Sequence, residues 1–530
     1  MHSNSPTTVA NAIKPERKRS KKTTRAIDVL PFTTVWLQVR LLPVRQRHLV
    51  AFPAGQRLHI CAVMPSGVYS VPQAILSAQS RPLRSPAELA SIIRTAYERI
   101  ARDRHRNCWI YVRPLEEALA EADALVRRAE QGEVLPLLGV PFGVKDNIDV
   151  EGMPTTAACL SFEYVAAQSA RCVESLTAAG AICLGKTNLD QFATGLSGTR
   201  SPYGACSSAA NDLYVSGGSS SGSAAAVASG HVAFALGTDT GGSGRIPAGF
   251  NGIIGIKPTV GLVSSRGLVP NCPTLDCPSI FCNSIAEGRI LLGLIEGFDD
   301  SDPYSRQRIA SSSPSPRKFR FGQVSVGHLN SFGMPECNDL YRQACTRLSG
   351  LGGQARQIDF TPFAEAGEML FSGPWIAERH AAISNLLDID HGDLLDVIRN
   401  VLSAAARFSA TDAFAAQHRL LKLRRQIQSL FEEIDVLVVP TAPRPFTISE
   451  MMEDPITLNN RLGYYSYFAN LVDLCAVAVP NATLGNGMPM GITLLAPAWR
   501  DHALLDLAER WLPDAKAGLF DLKVYPKAAS

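Results

Sequence analysis

Polar and apolar positions divide the chain into regions of different period. Before residue 76 the pattern is weak, with short β-rich runs at Thr33–Val39 and His59–Val63 after a polar start. Residues 1–26 are expected to form a disordered basic tail and 27–75 a small N-terminal extension arranged as a hairpin layer. From Ser85 to Ala129 the period is helical: Leu89, Ile92, Ile93 and Ala96 recur at three and four. Ser85-Pro86-Ala87-Glu88 reads as an N-cap with Pro at the first helical position, and Pro114 opens a second helix through Ala129.

From Leu135 the period changes again. Short apolar runs at 137–140, 181–185, 232–236 and 436–439 alternate with helical stretches at 171–179 and 223–229. Fully apolar short strands between helices predict a buried sheet covered by helices, hence an α/β fold. Residues 311–316 (Ser-Ser-Ser-Pro-Ser-Pro) read as a surface loop. Residues 320–435 are expected to be mainly helical and to pack on one flank as an insertion.

Composition adds little to this picture. Of 530 residues, 46% are hydrophobic and 19% charged, an ordinary globular balance. The net charge of +3 is more than accounted for by residues 14–25, which hold seven Lys/Arg against Glu16. Such a run suits a nuclear signal or a nucleic-acid arm, but the remainder of the chain carries about −3, and the run reads as a disordered tail, or as the product of an early start codon. No nucleic-acid partner is expected. Twelve cysteines are too dilute for a disulfide scaffold and imply buried thiols in a reducing, cytoplasmic compartment. Cys272, Cys277 and Cys282 recur every five residues, which is not a zinc spacing, so no metal is expected. No run of 18 apolar residues predicts a membrane span. The apolar stretch 27–44 is interrupted by Asp28 and Arg40 and carries no clear cleavage site.

The candidate chemistry lies in three segments: Gly143-Val144-Lys145-Asp146-Asn147, Gly217-Gly218-Ser219-Ser220-Ser221-Gly222, and Gly237-Thr238-Asp239-Thr240-Gly241-Gly242-Ser243. None contains histidine. A serine nucleophile needs a base, and a lysine serves if burial keeps it neutral. Gly241-Gly242 beside Ser243 leaves backbone N–H groups uncovered for a tetrahedral oxyanion. Asp239 is expected to anchor this loop by hydrogen bonds. The 217–222 stretch lacks the Gly-x-x-x-x-Gly-Lys-Ser/Thr arrangement of a nucleotide loop.

Gly217 through Ala228, together with Gly237–Ser243, resembles the amidase signature family. The resemblance implies a large mixed sheet wrapped by helices and a Ser–cis-Ser–Lys triad. Lys145 would be the base, Ser219 the serine after a cis peptide, and Ser243 the nucleophile. It also implies an oxyanion hole from the N–H groups of Thr240, Gly241, Gly242 and Ser243. The segments Ser243–Asn251, Leu262–Pro270, Thr274–Cys277, Thr187–Gly195, Gly373–Arg379 and Leu471–Pro480 are similar to those of allophanate hydrolases. This likeness spans roughly residues 75–510. It suggests an amidase domain over 76–515 and a C-terminal tail over 516–530.

Three departures stand out. Phe371 occupies the place of a Tyr that, with the residue matching Arg379, holds the substrate's carboxylate in allophanate hydrolases. Gly241 stands where they tend to have Ala. The C-terminal domain of many allophanate hydrolases is expected to be absent. The resemblance implies a serine amidohydrolase acting on allophanate, giving ammonia and carbon dioxide, or on a close ureido or amido acid. Two alternatives stay open: a general amidase acting on an apolar acyl amide, and a glutamine-hydrolysing amidotransferase subunit. No cofactor is implied. The expected partner is a small-molecule amide substrate, with no membrane contact, and a homodimer is allowed.

Overall fold

The computed structural model describes residues 85–309, 318–384, 391–512 and 520. The segments expected over 1–26 and 27–75, the loop at 311–316, and all of the 516–530 tail but Phe520 lie outside the described residues.

The core is one mixed sheet of eleven strands. In chain order these are β1 (Trp109–Val112), β2 (Pro141–Lys145), β3 (Ile182–Thr187), β4 (Phe234–Asp239), β5 (Ile254–Lys257) and β6 (Cys277–Cys282). They continue as β7 (Phe319–Val324), β8 (Gly353–Ile358), β9 (Val436–Pro440), β10 (Leu474–Thr483) and β11 (Pro489–Pro497). The spatial order is β1-β3-β2-β4-β6-β5-β10-β11-β9-β7-β8. The β3-β2-β4 and β9-β7-β8 groups are parallel, and the remaining pairings are antiparallel. Every residue of β2, β3 and β4 is buried, as expected of strands covered on both faces.

Helices flank the sheet. The first is α1 (Pro86–Arg102), where Ser85 Oγ accepts from Glu88 N at 3.2 Å and Leu89, Ile92, Ile93 and Ala96 form the buried stripe. It is followed by α2 (Leu115–Glu130), α3 (Arg171–Ala178) and α4 (Ser221–Ala228). Then come α5 (Ile246–Asn251), α6 (Ile285–Ile295), α7 (Pro335–Gly350), α8 (Thr361–Phe371) and α9 (Trp375–Ser384).

Three expectations change. The run at 137–140 is not a strand. Leu137 N and Gly139 N donate to the carbonyls of Ala179 and Gly180 at 2.8 and 2.9 Å, Gly139 has φ +67°, and the strand begins only at Pro141. These bonds fold the run into turns against the end of α3. Conversely, Trp109–Val112 lies between two helices, inside the stretch that the sequence marks as helical. It forms an edge strand because Gly185 lets it approach β3: a Cβ there would sit 2.2 Å from Tyr111 O. Finally, the described residues of 320–435 are helical for the most part but also supply β7 and β8, which continue the sheet beyond β9.

This topology positions the site. Parallel β2 and β4 run in register, Phe142 beside Phe234 and Val144 beside Leu236, so their C-terminal ends emerge together. Clefts for ligands form at such ends in parallel sheets. Lys145 ends β2, and the loop carrying Ser243 leaves β4 beside it.

Candidate active site

Lys145 Nζ lies 2.7 Å from Ser219 Oγ and 2.7 Å from Thr238 Oγ1. Ser219 Oγ donates to Ser243 Oγ at 3.0 Å. The structure thus brings Lys145, Ser219 and Ser243 into one hydrogen-bonded line, all three buried. Ser219 reaches the middle because of the turn before α4. Gly217 takes φ +78°, and the Gly218–Ser219 peptide is cis. Gly218 is sterically obligatory, since a Cβ there would meet Asp190 Oδ2 at 2.1 Å. The Asp190 carboxylate accepts from the amides of Ser197, Gly198 and Arg200, and Asp190 N donates to Ser219 O at 3.1 Å. Two further hydroxyls fasten α4 to β4: Ser220 Oγ donates to Thr238 O at 3.1 Å and Ser223 Oγ to Leu236 O at 2.9 Å.

Burial dominates the charge state of Lys145. Desolvation pulls its pKa from 10.5 down to about 7, against the smaller opposing pull of Asp190, Asp276 and Asp239. A neutral amine at this position can take a proton from the Ser219 hydroxyl, which in turn can take one from Ser243.

The Ser243 loop is held by Asp239, as expected. Asp239 Oδ1 accepts from Gly242 N and Arg245 Nη2, and Oδ2 from Gly244 N and Arg245 Nε, all at 2.9 Å. Burial alone would raise the Asp239 pKa, but the Arg245 guanidinium outweighs it and holds the carboxyl below its usual range. This corrects the four-donor oxyanion hole. Gly242 N–H is occupied by Asp239, while the amides of Thr240, Gly241 and Ser243 have no protein acceptor among the described residues. Because Arg245 is fully buried, Arg245→Leu leaves a lone carboxylate in the core. The expected loss of unfolding free energy is about 3 kcal/mol in a denaturant titration. A change below about 1 kcal/mol would show that the loop amides alone satisfy Asp239.

Arg379 and Phe371 also meet near this loop. Arg379 on α9 is buried, and its guanidinium carbon sits 4.8 Å from the centre of the Phe371 ring at the end of α8. Arg379 Nε donates to Asn271 Oδ1 at 3.1 Å. Its Nη1 is buried with no hydrogen-bond partner among the described residues. Phe371 stacks on Tyr467 with ring centroids 4.1 Å apart. Tyr467 in turn borders Gly241, where an added Cβ would lie 3.2 Å from Tyr467 Cδ1 and 2.5 Å from Leu370 Cδ2. Glycine at 241 therefore fits the Leu370 side chain that lies against it.

Several participants carry no role in the sequence reading. Thr238 touches Lys145 although it sits inside the third segment; as an inward position of β4 shortly before Ser243, it was open to detection. Asn271 and Tyr467 come from distant segments with no local chemical signal. Asp276 belongs to the 274–277 segment, and a carboxylate amid Cys272, Leu275 and Cys277 was the available hint. The eleven cysteines among the described residues are all free and buried. No three His, Cys, Asp or Glu side chains gather as a metal-binding group there. No helix among them is long and apolar enough to cross a membrane.

The model of the family named Amidase matches residues 91–505. The chain belongs to the amidase family. Within it the chain is similar to urea amidolyase of Saccharomyces cerevisiae, 42% identical over 411 residues, which cover 76% of this chain and 22% of the relative. It is 35% identical to a subunit of the Glutamyl-tRNA(Gln) amidotransferase of Thermosynechococcus vestitus, over 74% of this chain and 88% of that one. Among solved structures, Kluyveromyces lactis allophanate hydrolase superposes with a TM-score of 0.76 at 37% identity, covering 87% of this chain and 76% of the other. The chain thus spans less than a quarter of the urea amidolyase that it matches. It is an amidase-family chain, homologous to allophanate hydrolase over its described core.

Proposed function

We propose that this chain is a serine amidohydrolase acting on allophanate or a closely related small amide-bearing carboxylate. Ser243 Oγ attacks the amide carbon while its proton passes to Ser219, and the Ser219 proton passes to Lys145. The tetrahedral oxyanion is met by the free amides of the Thr240–Ser243 loop. As the carbon–nitrogen bond breaks, the proton returns along the relay to the leaving nitrogen, which departs as ammonia. Water then attacks the acyl-Ser243 ester by the same relay and frees the acid. The relay requires no metal or organic cofactor.

The line Lys145–Ser219–Ser243, with the amine made neutral by burial, is the observation that carries this reading. The substrate class rests on Arg379, a buried cation with an unpartnered Nη1, beside the residue matching the family's carboxylate-holding position. We further propose that 76–515 forms the catalytic domain. The deciding experiment is an ammonia-release screen over allophanate, malonamate, biuret, glutamine and an aliphatic amide. Turnover confined to allophanate and malonamate supports the proposal. Preference for glutamine, the nitrogen donor suited to a relative of the amidotransferase, or for the aliphatic amide overturns it.

Arg379 gives a sharper check. If it pairs with the substrate carboxylate, Arg379→Ala raises KM for allophanate about tenfold or more, since a charge-assisted hydrogen bond contributes ~1.5–3 kcal/mol. Turnover of an uncharged amide changes little. Equal damage to both would mean that Arg379 merely braces α9 through Asn271.

A further inference from the structure

Asp276 lies just before β6, is buried, and takes no part in the proton relay. Its two oxygens serve two different parts of the site. Oδ1 accepts from the hydroxyl of Thr240, on the loop that carries Ser243. Oδ2 accepts from the backbone amides of Asn271 and Cys272 at 2.7 and 3.1 Å. The Asn271 side chain is itself fixed. Its Nδ2 donates to Phe192 O at 2.9 Å and to Thr194 Oγ1 at 3.0 Å, which turns Oδ1 toward Arg379 Nε. A continuous line of hydrogen bonds therefore joins the oxyanion loop to the Arg379 guanidinium: Thr240, Asp276, Asn271, Arg379.

We infer that Asp276 is a positioning residue that fixes the span between the oxyanion loop and Arg379, and so selects amido acids by the distance between their amide and carboxylate. This rests on the carboxylate-bearing substrate class proposed above. A carboxylate accepts from all three groups at once. An amide side chain could still accept from the Asn271 and Cys272 amides, but its NH2 would then donate to the Thr240 hydroxyl, which reverses that bond and removes its charge. Burial pushes the Asp276 pKa up to about 6, against the hydrogen bonds from Thr240 and the two amides, so the carboxylate prevails at neutral pH and above. Allophanate places one atom between its two carbonyl carbons. Malonamate has the same spacing, and succinamate is longer by one methylene.

The test compares kcat and KM for malonamate, succinamate and propionamide at a pH above 8. It uses the full chain as wild type, Asp276→Asn and Thr240→Val. The wild type is expected to favour malonamate over succinamate by about tenfold or more, the selectivity one methylene typically allows. Both variants should raise KM for malonamate about tenfold, as loss of a charge-assisted hydrogen bond predicts, and Asp276→Asn should lose more on malonamate than on propionamide. The malonamate-to-succinamate ratio should fall toward unity. Thr240→Val keeps Asp276 and its backbone contacts, so it reports even if Asp276→Asn folds poorly. Equal losses on all three substrates, or an unchanged ratio, would overturn the inference and leave the substrate class standing. A wild type indifferent to the carboxylate would overturn the substrate class and the inference together.

Discussion

Ser243→Ala is expected to fold as the wild type does and to lose kcat by roughly 10⁴ or more, the scale seen when a serine nucleophile is removed. The fold should survive because the Ser243 side chain bears little of the loop's structure. Its hydroxyl meets Ser219 at 3.0 Å, whereas the loop is held by Asp239 through Gly242 N, Gly244 N and Arg245. Loss of Oγ leaves those contacts whole and removes only the attacking atom. Single-turnover ammonia release with allophanate, beside thermal melts of both proteins, checks the two halves of the expectation. A well-folded alanine variant within about tenfold of wild type would remove Ser243 from the chemistry.

Much of the site was legible because its chemistry is local in sequence. Glycines with serines mark places where backbone turns sharply, and the steric reasons appear directly at Gly217 and Gly218. Lys145 was legible through its relation to those segments, since a relay without histidine needs some other base. The central strands were legible because β3, β4 and β9 are buried on both faces and so read as unbroken apolar runs. What failed depended on partners. Trp109–Val112 becomes a strand only because Gly185 leaves room for it. The run at 137–140 has strand-like side chains, but its amides are claimed by Ala179 and Gly180.

The same distinction separates the site's centre from its surroundings. Considered alone, the loop offers the Gly242 N–H as an oxyanion donor beside those of Thr240 and Gly241. Asp239, three residues earlier, takes that N–H because its carboxylate is aimed back into the loop by Arg245. Tyr467 closes on Gly241 from more than two hundred residues away, and no period or motif announces that approach. Asp276 shows an intermediate case. Its burial was foreshadowed by apolar neighbours, but its bridging of two loops depends on where Asn271 and Thr240 come to rest.

Lys145 carries the other large expectation, and its sign can be worked out. The amine must be neutral to accept a proton, and burial places its pKa near 7 in place of 10.5. The kcat/KM for an uncharged amide should therefore rise with pH through about 7 and level off above it. Lys145→Ala should lose several orders of magnitude, and Lys145→Arg should not recover activity, because a guanidinium keeps its proton throughout this range. The stability prediction follows from the same shift. Between about pH 7 and 10.5 the unfolded chain holds a proton on this residue that the folded chain does not. Stability from this group therefore increases as pH rises through that window, and the cost of the buried amine is greatest below it. Lys145→Met should accordingly be inactive yet more stable than wild type at pH 6, with the advantage shrinking toward pH 10. Denaturant titrations at the two pH values measure this directly. An arginine variant with substantial turnover, or a methionine variant whose stability gain does not fall with pH, would mean that Lys145 is held as a cation and acts through its charge.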